Sequence, residues 1–459
     1  MEYKSICKNQ VVHAVAGGLL LIGMNASNVV AGTVMSTDNA FTKALKERGL
    51  NIGGWINGGA TFNPSQTDGF NGPVTFGDQA NRVQMNQLNF FIERAVRTEG
   101  KGWDVGFRAD FMFGTDAIFT QAYGNPAFDV NSGRALSDRG NWDLDVCCNS
   151  SRTYGIAFPQ AFAEVYAPIG NGLNIKAGHF YTPIGYETVP APNNFFYTHA
   201  YTMQYGEPFT HTGVLANYTI SKNFTAMAGA IGGSGTGGWD GNFDRQMGNW
   251  GGIGGVTWTS DDTKTSFNIS GTGSTASTRN SSFWGMYSAV FKHLFADNKT
   301  HLVIQHDHGF ADNVLLANLK YGGVVQNAEW YGINTHVYYD LTPDLSVGVR
   351  GEWFRDRDGF RVFSPGRVAA STNHLGSSYA LGGATQLASS TPADYYAVTI
   401  GANWKAARTL KLDWRGLKNL NVRPNIRYDR ADALHAAAYR PFGGNKDQIL
   451  FSLDAVLPF

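Results

Sequence analysis

Apolar and polar residues alternate at every second position through much of the chain. Residues 104–113, 341–356 and 420–429 are the clearest cases. In the last of these, one face holds Leu420, Val422, Pro424, Ile426 and Tyr428, and the other holds Asn421, Arg423, Asn425, Arg427 and Asp429. A period of two with one wholly apolar face predicts β-strands.

The polar face of these segments carries charge. Asp104, Arg108 and Asp110 share that face in the first segment, as Arg350 and Glu352 do in the second. A packed core disfavours such residues, because buried ions are costly unless they are paired. A membrane barrel accommodates both faces, since lipid contacts the apolar residues and a water-filled lumen contacts the charged ones. The pattern therefore predicts an all-β fold, a transmembrane antiparallel β-barrel.

Short turns alternate with long connections between these segments. The short turns lie near 98–101, 168–172, 221–223, 260–262, 297–299 and 342–344. The long connections lie near 63–81, 115–158, 182–208, 234–248, 272–282, 311–325, 357–393 and 430–446. Outer-membrane barrels have short periplasmic turns and long extracellular loops, so we predict about 16 strands (roughly 14–18) over residues 50–459. The connection at 406–417 is long for a periplasmic turn and is the weakest point of this count.

The N-terminal region has the pattern of an export signal. Lys4 and Lys8 precede an apolar run over residues 11–24, which small residues follow. The run is too short for a membrane-spanning helix, which needs about 20 apolar residues. We therefore predict a signal peptide over 1–31 and a short periplasmic segment over 32–49, for which a helix is one alternative.

The last residues form the most specific local pattern. Apolar residues stand at alternate positions from Ile449 to Phe459. We interpret this segment as the last strand, with Phe459 as a signal that the barrel assembly machinery recognises. Aromatic girdles are expected at both membrane interfaces, and we assign to them Trp258, Trp330, Tyr338, Trp353, Trp404 and Tyr428.

Composition agrees with a barrel. Charged residues make up 16% of the 459, against roughly 25% in soluble domains, and there are 56 glycines. The formal net charge is zero, so no basic field attracts nucleic acid. Three cysteines cannot form a disulfide framework. The adjacent Cys147 and Cys148 are interpreted as an incidental loop pair, with a redox or metal role as the alternative.

No metal or catalytic site is predicted. His306 and His308 share one strand face, but zinc needs a third ligand and His301 lies on the opposite face. The chain has no Gly-x-Ser-x-Gly elbow, and no serine is matched to one particular histidine. We expect neither enzymatic activity nor a cofactor. An outer-membrane barrel enzyme is the weaker alternative, because catalytic residues of barrels can come from distant strands.

The connection 182–208 is rich in aromatic residues and proline, which favours a packed segment over a solvated one. It follows the fifth predicted strand, where the loop of sixteen-stranded porins folds into the lumen and narrows it. An external cap is the alternative. The candidate constriction residues are Tyr186, Glu187, Asn193, Asn194, Phe195 and Tyr197. The candidate pore-lining residues are Arg108, Asp110, Glu164, Lys176, Arg350, Glu352, Arg423 and Arg427.

Several longer motifs resemble one family. They include Lys176-Ala-Gly-His-Phe-Tyr-Thr-Pro-Ile-Gly-Tyr-Glu187 and Arg423-Pro-Asn-Ile-Arg-Tyr-Asp429, with others at 106–116, 160–168, 209–215, 330–334 and 350–359. From about residue 50 to its end, the chain resembles the OmpL-like β-barrel porins. The resemblance implies an outer-membrane barrel with channel activity and assigns no functional residues. The chain departs from the family pattern at His179 and Asn425, where Arg and Glu are commoner, so the charge of a shared constriction is not carried over.

Together these observations predict an outer-membrane porin, a passive diffusion channel for small hydrophilic solutes and ions. The expected partners are outer-membrane lipid, the barrel assembly machinery and the solutes, with a homotrimer as the candidate assembly and no nucleic acid. The alternative is a structural or adhesion barrel of the cell surface that acts through exposed loops such as 115–158 and 357–393.

Overall fold

The chain folds into one closed sheet. The computed structural model describes residues 45, 47–66, 69–98, 102–117, 153–232, 250–275, 283–316, 324–362, 364, 391–412 and 417–459. The strands are β1 (Asn51–Phe62), β2 (Arg82–Arg94), β3 (Asp104–Gly114), β4 (Gly155–Ala167), β5 (Leu173–Tyr181), β6 (Thr210–Thr219), β7 (Phe224–Gly232), β8 (Trp250–Thr259), β9 (Thr265–Thr275), β10 (Phe283–Leu294), β11 (Thr300–Leu316), β12 (Val324–Thr342), β13 (Leu345–Asp356), β14 (Ala393–Trp404), β15 (Asn421–Ala433) and β16 (Asp447–Pro458). Each strand pairs antiparallel with its sequence neighbours, and β1 pairs with β16 to close the barrel. Closure leaves no edge strand with unpaired main-chain N–H and C=O groups, which lipid could not hydrogen-bond. The predicted all-β fold and strand number are confirmed.

The two faces of the barrel wall differ as the alternation predicts. Many outward side chains are apolar and exposed, for example Val105 at 59%, Ile426 at 51% and Leu453 at 54%. Their strand neighbours Arg423 and Asp454 point inward and are buried. The three segments with the clearest period of two lie in β3, β13 and β15.

Two predicted girdle residues lie in the lumen instead, and their assignment to the girdles was wrong. Trp330 and Tyr338 of β12 are buried, and the Trp330 indole donates a hydrogen bond to the main-chain oxygen of Gly206 at 3.2 Å. Both occupy even-numbered positions of β12, which face inward together with Asn334. Position parity along a strand, and not aromatic character, decides which face a side chain occupies.

The connections differ between the two ends of the barrel. Five turns of two to five residues lie at one end, here named the turn end, together with the β2–β3 connection. The eight connections at the other end, the loop end, have seven residues or more. The connection from β14 to β15 is also at the turn end and contains the short helix α1 (Ala406–Thr409). Because β14 and β15 are hydrogen-bonded neighbours, this connection, the weakest point of the strand count, adds no strand.

Several predicted features lie outside the described residues. These are the signal peptide 1–31, most of 32–49, the pair Cys147 and Cys148, all of 234–248, and most of 115–158 and 357–393. Among the helices that the structure describes, none has the length and apolar character needed to cross a membrane.

Candidate functional site

Loop 182–208 runs through the inside of the barrel from one wall to the other. The Gln87 side chain of β2 donates a hydrogen bond to Val189 O at 2.9 Å. Gln305 of β11 accepts a hydrogen bond from the main-chain N–H of Tyr186 at 3.0 Å. These two strands lie on opposite sides of the closed sheet. The loop therefore lies in the lumen and is not an external cap.

Local sequence gives the loop a compact path. Pro190 precedes a 3-10 turn (Ala191–Asn193) that contains Pro192. The Asn194 side chain then accepts a hydrogen bond from Thr188 N at 2.9 Å and donates to Thr188 O at 2.6 Å. Proline fixes φ, and asparagine side chains bond nearby main-chain groups. This stretch is consequently held by its own contacts before it meets the wall.

Arg350 of β13 anchors the loop at two points. Its guanidinium donates to Glu187 Oε1 at 2.6 Å and to Thr198 O at 2.8 Å. Glu352, on the same face of β13, accepts a hydrogen bond from the main-chain N–H of Tyr201. The Arg350 side chain is fully buried, and a buried charge without such partners would be strongly destabilising. Wall and loop are thus coupled electrostatically.

Arg423 of β15 binds both the loop and the wall. It donates to Ala191 O at 2.9 Å and to Asn194 O at 2.7 Å. Its Nε–H donates to Asp454 of β16 at 3.0 Å, and Asn57 of β1 donates to the same carboxylate at 2.6 Å. The loop is thereby tied to the place where β1 meets β16.

Arg427 repeats this arrangement two residues further along β15. It donates to His199 O at 2.5 Å and pairs with Asp429 at 2.7 Å. The Tyr201 hydroxyl donates to Asp429 at 2.8 Å, and the Tyr201 ring lies 4.9 Å from the Arg427 guanidinium carbon. A planar guanidinium can satisfy several acceptors at once. Arg423 and Arg427 therefore each join a wall carboxylate to a main-chain carbonyl of the loop.

A second group of charges, the turn-end cluster, consists of Glu93, Arg108, Asp110, Glu164 and Lys176. Arg108 pairs with Glu93 and with Asp110, each at 2.6 Å, and Lys176 pairs with Glu164 at 3.3 Å. The side chains of Arg108 and Lys176 keep 22% and 23% of their surface exposed. Four pore-lining candidates lie in this cluster, and the other four lie against the loop: Arg350, Glu352, Arg423 and Arg427.

The candidate constriction residues pack onto the wall in different directions. The Phe195 ring stacks on Tyr338 with 4.2 Å between centroids. The Tyr197 hydroxyl donates to Asn86 Oδ1 at 2.8 Å. Tyr186 binds Gln305 as above, Glu187 binds Arg350, and Asn193 and Asn194 belong to the 3-10 turn and the residue after it.

The contacts at the loop end of the lumen were not predicted from the sequence. A π-helical turn (Thr202–Gly206) lies there. Arg361 donates to Tyr205 O at 2.6 Å, and its guanidinium carbon lies 4.8 Å from the centre of the Trp330 ring. Arg361 follows the end of β13, where the alternation has stopped, so no periodic signal could have identified it.

A cavity of about 10 Å³ lies beside the loop, lined in part by Thr182, Glu187 and Met203, and has room for one water molecule. Thr257 and Ser270, on the inward faces of β8 and β9, are also buried.

His306 and His308 lie on the outer face of β11. Their ring nitrogens contact the Tyr287 hydroxyl at 3.3 Å and Glu329 at 2.8 Å. Within the part of the chain that the structure describes, no group of three histidine, cysteine or acidic side chains is arranged to hold a metal ion.

Comparisons with known proteins agree with this architecture. The sequence profile of the family described as "Putative beta-barrel porin-2, OmpL-like" matches residues 49–459. No curated protein matches the chain.

Solved structures share the fold. Pseudomonas putida OprB has a TM-score of 0.51 and 13% identity, covering 92% of this chain and 96% of that one. The anion-selective porin from Comamonas acidovorans has a TM-score of 0.52 and 8% identity, covering 89% and 99%. Salmonella typhi OmpF in complex with daunomycin has a TM-score of 0.50 and 11% identity, covering 89% and 97%. With its whole barrel matched by the family profile, the chain belongs to the OmpL-like β-barrel porins of the outer membrane.

Proposed function

We propose that the barrel is a passive diffusion channel for small hydrophilic solutes and ions, and that loop 182–208 is its narrow point. The observation that supports this most is the row of wall arginines that bind the loop: Arg350, Arg423 and Arg427. A hydrophilic passage needs walls with charge and hydrogen-bonding capacity. The wall around this loop has both.

In this proposal, a solute passes more readily when the loop shifts away from the wall. The wall itself is held by the closed ladder of sixteen strands. Arg423 and Arg427 hold the loop through main-chain carbonyls, and hydrogen bonds to charged groups contribute a net of about 1.5–3 kcal/mol each. Water or a polar solute can replace such contacts. The loop is therefore the element whose position would set the size of the passage.

We propose that the turn-end cluster influences which ions enter. Arg108 and Lys176 are partly exposed and lie beside the acidic Glu93 and Glu164. Opposed charges beside an aqueous passage produce a transverse field that disfavours apolar solutes. The near balance of charge favours weak ion selectivity. The homotrimer and the contacts with outer-membrane lipid and the barrel assembly machinery stay predictions.

Single-channel conductance of the purified protein in planar bilayers tests this function. Deleting residues 188–200 removes the contacts of Arg423 and Arg427 and should raise the conductance. Lys222→Gln is a matched control, because Lys222 pairs with Asp261 at an exposed turn outside the lumen. That variant should conduct like the wild type. A silent wild-type protein, together with a loop deletion that opens nothing, would contradict the channel.

A structural or adhesion barrel is the second candidate. It is favoured by the pairing of lumenal charges, because Arg423 with Asp454 and Arg427 with Asp429 are satisfied without a water-filled pore. The surface loops would then carry the activity. Electrically silent protein that still confers surface adhesion on cells would favour this candidate.

A further inference from the structure

The outer surface of the barrel carries a row of acidic, basic and histidine side chains at the loop end of β11–β16. This row, the ionic belt, consists of His308, Glu329, Arg355, Arg357, Asp394, Arg430, Asp432 and Asp447. Its members alternate along the strands with inward residues and share the face of exposed Phe310 and Tyr396. The belt therefore faces the surroundings of the barrel and not the lumen.

Belt residues of opposite sign contact each other across neighbouring strands. Glu329 of β12 pairs with His308 of β11 at 2.8 Å and also with Arg357. Arg355 of β13 donates two hydrogen bonds to Asp394 of β14, at 2.7 and 2.6 Å. Positive and negative groups thus follow one another around this part of the wall.

The pattern continues on β15 and β16 with more exposed groups. Arg430 pairs with Asp432 at 3.0 Å, and Asp447 of β16 lies opposite Arg430 in the ladder. The side chains of Arg357 and Arg430 keep 58% and 47% of their surface exposed. Each guanidinium therefore retains N–H groups directed at the medium around the barrel.

An aromatic row lies next to the belt on its turn-end side. It consists of Tyr287, Tyr331, Trp353, Tyr396 and Tyr428 on β10 and β12–β15. The Trp353 indole donates to Asp394 at 2.9 Å, and so links the row to the belt. Tyrosine and tryptophan concentrate where hydrocarbon gives way to polar headgroups. The aromatic row therefore indicates that the belt lies at the level of the lipid headgroups.

The described strands β7–β9 differ from the belt. None of their outward positions carries a charged residue, and seven of these positions hold alanine or glycine: Ala226, Ala228, Ala230, Gly252, Gly254, Gly271 and Gly273. If the outer surface at the loop end needed only polar contact with water, strands β7–β9 and β11–β16 would not have to differ in this way. The belt is a localised surface with a defined charge order.

We propose that the ionic belt binds the phosphorylated headgroups of an outer-leaflet glycolipid together with their bridging divalent cations. Arginine presents a planar fork of donors that matches a phosphate bidentately. Carboxylates are the ligands that Mg²⁺ and Ca²⁺ prefer. A headgroup layer of phosphates joined by such cations alternates in sign, as Glu329, Arg355 and Asp394 do. This inference does not depend on conduction through the lumen.

Native mass spectrometry of the full-length barrel in detergent tests the proposal. The probe is a bis-phosphorylated glucosamine glycolipid with Mg²⁺. Its dephosphorylated form, phosphatidylglycerol and inorganic phosphate are the comparisons. The variant Arg355→Gln, Arg357→Gln, Arg430→Gln should bind the glycolipid at least about tenfold more weakly than wild type. Arg408→Gln is the matched control, because Arg408 pairs with Asp344 at the turn end.

The outcomes separate the sources of phosphate. Tight binding of the phosphorylated glycolipid alone, reduced by chelating Mg²⁺ and by the triple variant, supports the proposal. Equal binding of phosphatidylglycerol or inorganic phosphate overturns it, as does an unchanged triple variant or an equal loss in Arg408→Gln. Should the triple variant fail to migrate as a folded, heat-modifiable barrel, Arg430→Gln alone decides, because its pair with Asp432 is exposed and exposed pairs contribute little to stability.

Discussion

Arg350 of β13 donates to the Glu187 carboxylate at 2.6 Å, and both side chains are almost completely buried. The same guanidinium donates to Thr198 O, so one wall residue holds two distant points of loop 182–208. Breaking a buried pair from one side leaves an uncompensated charge, which is far more costly than losing an exposed pair. We therefore expect the loss of either partner alone to weaken the attachment of the loop to the wall.

We expect Glu187→Gln to destabilise the folded barrel and to raise its conductance. Breaking a buried ion pair typically costs about 3–5 kcal/mol, and the loosened loop should leave the wall more often. Urea unfolding in detergent and single-channel recordings measure the two effects. Combining Glu187→Gln with Arg350→Met removes both charges and should recover part of the stability. Equal losses in the single and double variants would contradict this account.

The barrel wall could be predicted from the sequence, while the contacts inside it could not. Lipid on one face enforces strict alternation, so the inward positions of Arg423 and Arg427 follow from the pattern alone. Their acceptors do not, because Ala191 O and His199 O are main-chain atoms that leave no trace in residue identity. The hydrogen bond from Gln87 to the loop could not be predicted either, because neutral inward residues are typical of any barrel lumen.

The division of the lumenal charges into two groups was also beyond the sequence. Lys176 and Arg350 have the same pattern of inward placement, yet one is partly exposed and the other fully buried. The difference depends on the path of loop 182–208, which is set by packing between residues far apart in the chain. Trp330 was wrongly assigned to a girdle because it is aromatic. Its side chain faces the lumen, as its position along β12 requires.

Lys176→Gln should shift ion selectivity toward cations. Lys176 is partly exposed beside Glu164, and its removal raises the excess of carboxylates over cations in the turn-end cluster from one to two. The shift should be larger in dilute salt, because the Debye length falls from about 10 Å at 0.1 M to about 3 Å at 1 M. Reversal potentials across a KCl gradient measure it, with Lys222→Gln as control. Equal shifts in the two variants would place the selectivity elsewhere.

Asp297 should make the β10–β11 turn sensitive to acid. The Thr300 hydroxyl, the Lys299 N–H and the Thr300 N–H donate to its carboxylate and lower its pKa from 3.8 to about 2. A lowered pKa stabilises the fold above the unfolded value, and this contribution is lost as the pH falls through the folded value. The loss should lie between about pH 4 and pH 2.

Comparing urea midpoints at pH 5 and pH 2.5 for wild type and Asp297→Asn tests this. The variant should lose less stability on acidification, because its amide oxygen still accepts hydrogen bonds and does not titrate. The expected difference is small, since the turn is exposed. Identical pH dependence in both proteins would exclude Asp297 as a source of acid sensitivity.

Phe459 closes the barrel against Gly54 of β1. The two residues exchange main-chain hydrogen bonds at 2.9 and 3.0 Å, and the Phe459 ring lies edge-on to Phe90 with 5.5 Å between centroids. A Cβ added at Gly54 would lie 2.0 Å from Asn89 O and 2.8 Å from the Phe459 ring. Only glycine at this position lets β2 and the last residue approach β1 together.

We expect deletion of Phe459 to reduce outer-membrane assembly far more than it reduces the stability of assembled protein. Burying one such side chain contributes only about 1.5–3 kcal/mol. Recognition of Phe459 by the assembly machinery, which the sequence predicts, would act on every newly made chain. Surface levels in cells and the melting midpoint of purified barrel separate the two effects. Phe267→Ala, which removes an outward aromatic of β9, is the matched control and should assemble normally. Gly54→Ala should have the opposite balance, lowering the melting midpoint more than the surface level. The added methyl group strains closure of the barrel, while Phe459 stays in place. Normal surface levels of the truncated chain would show that Phe459 acts only through packing.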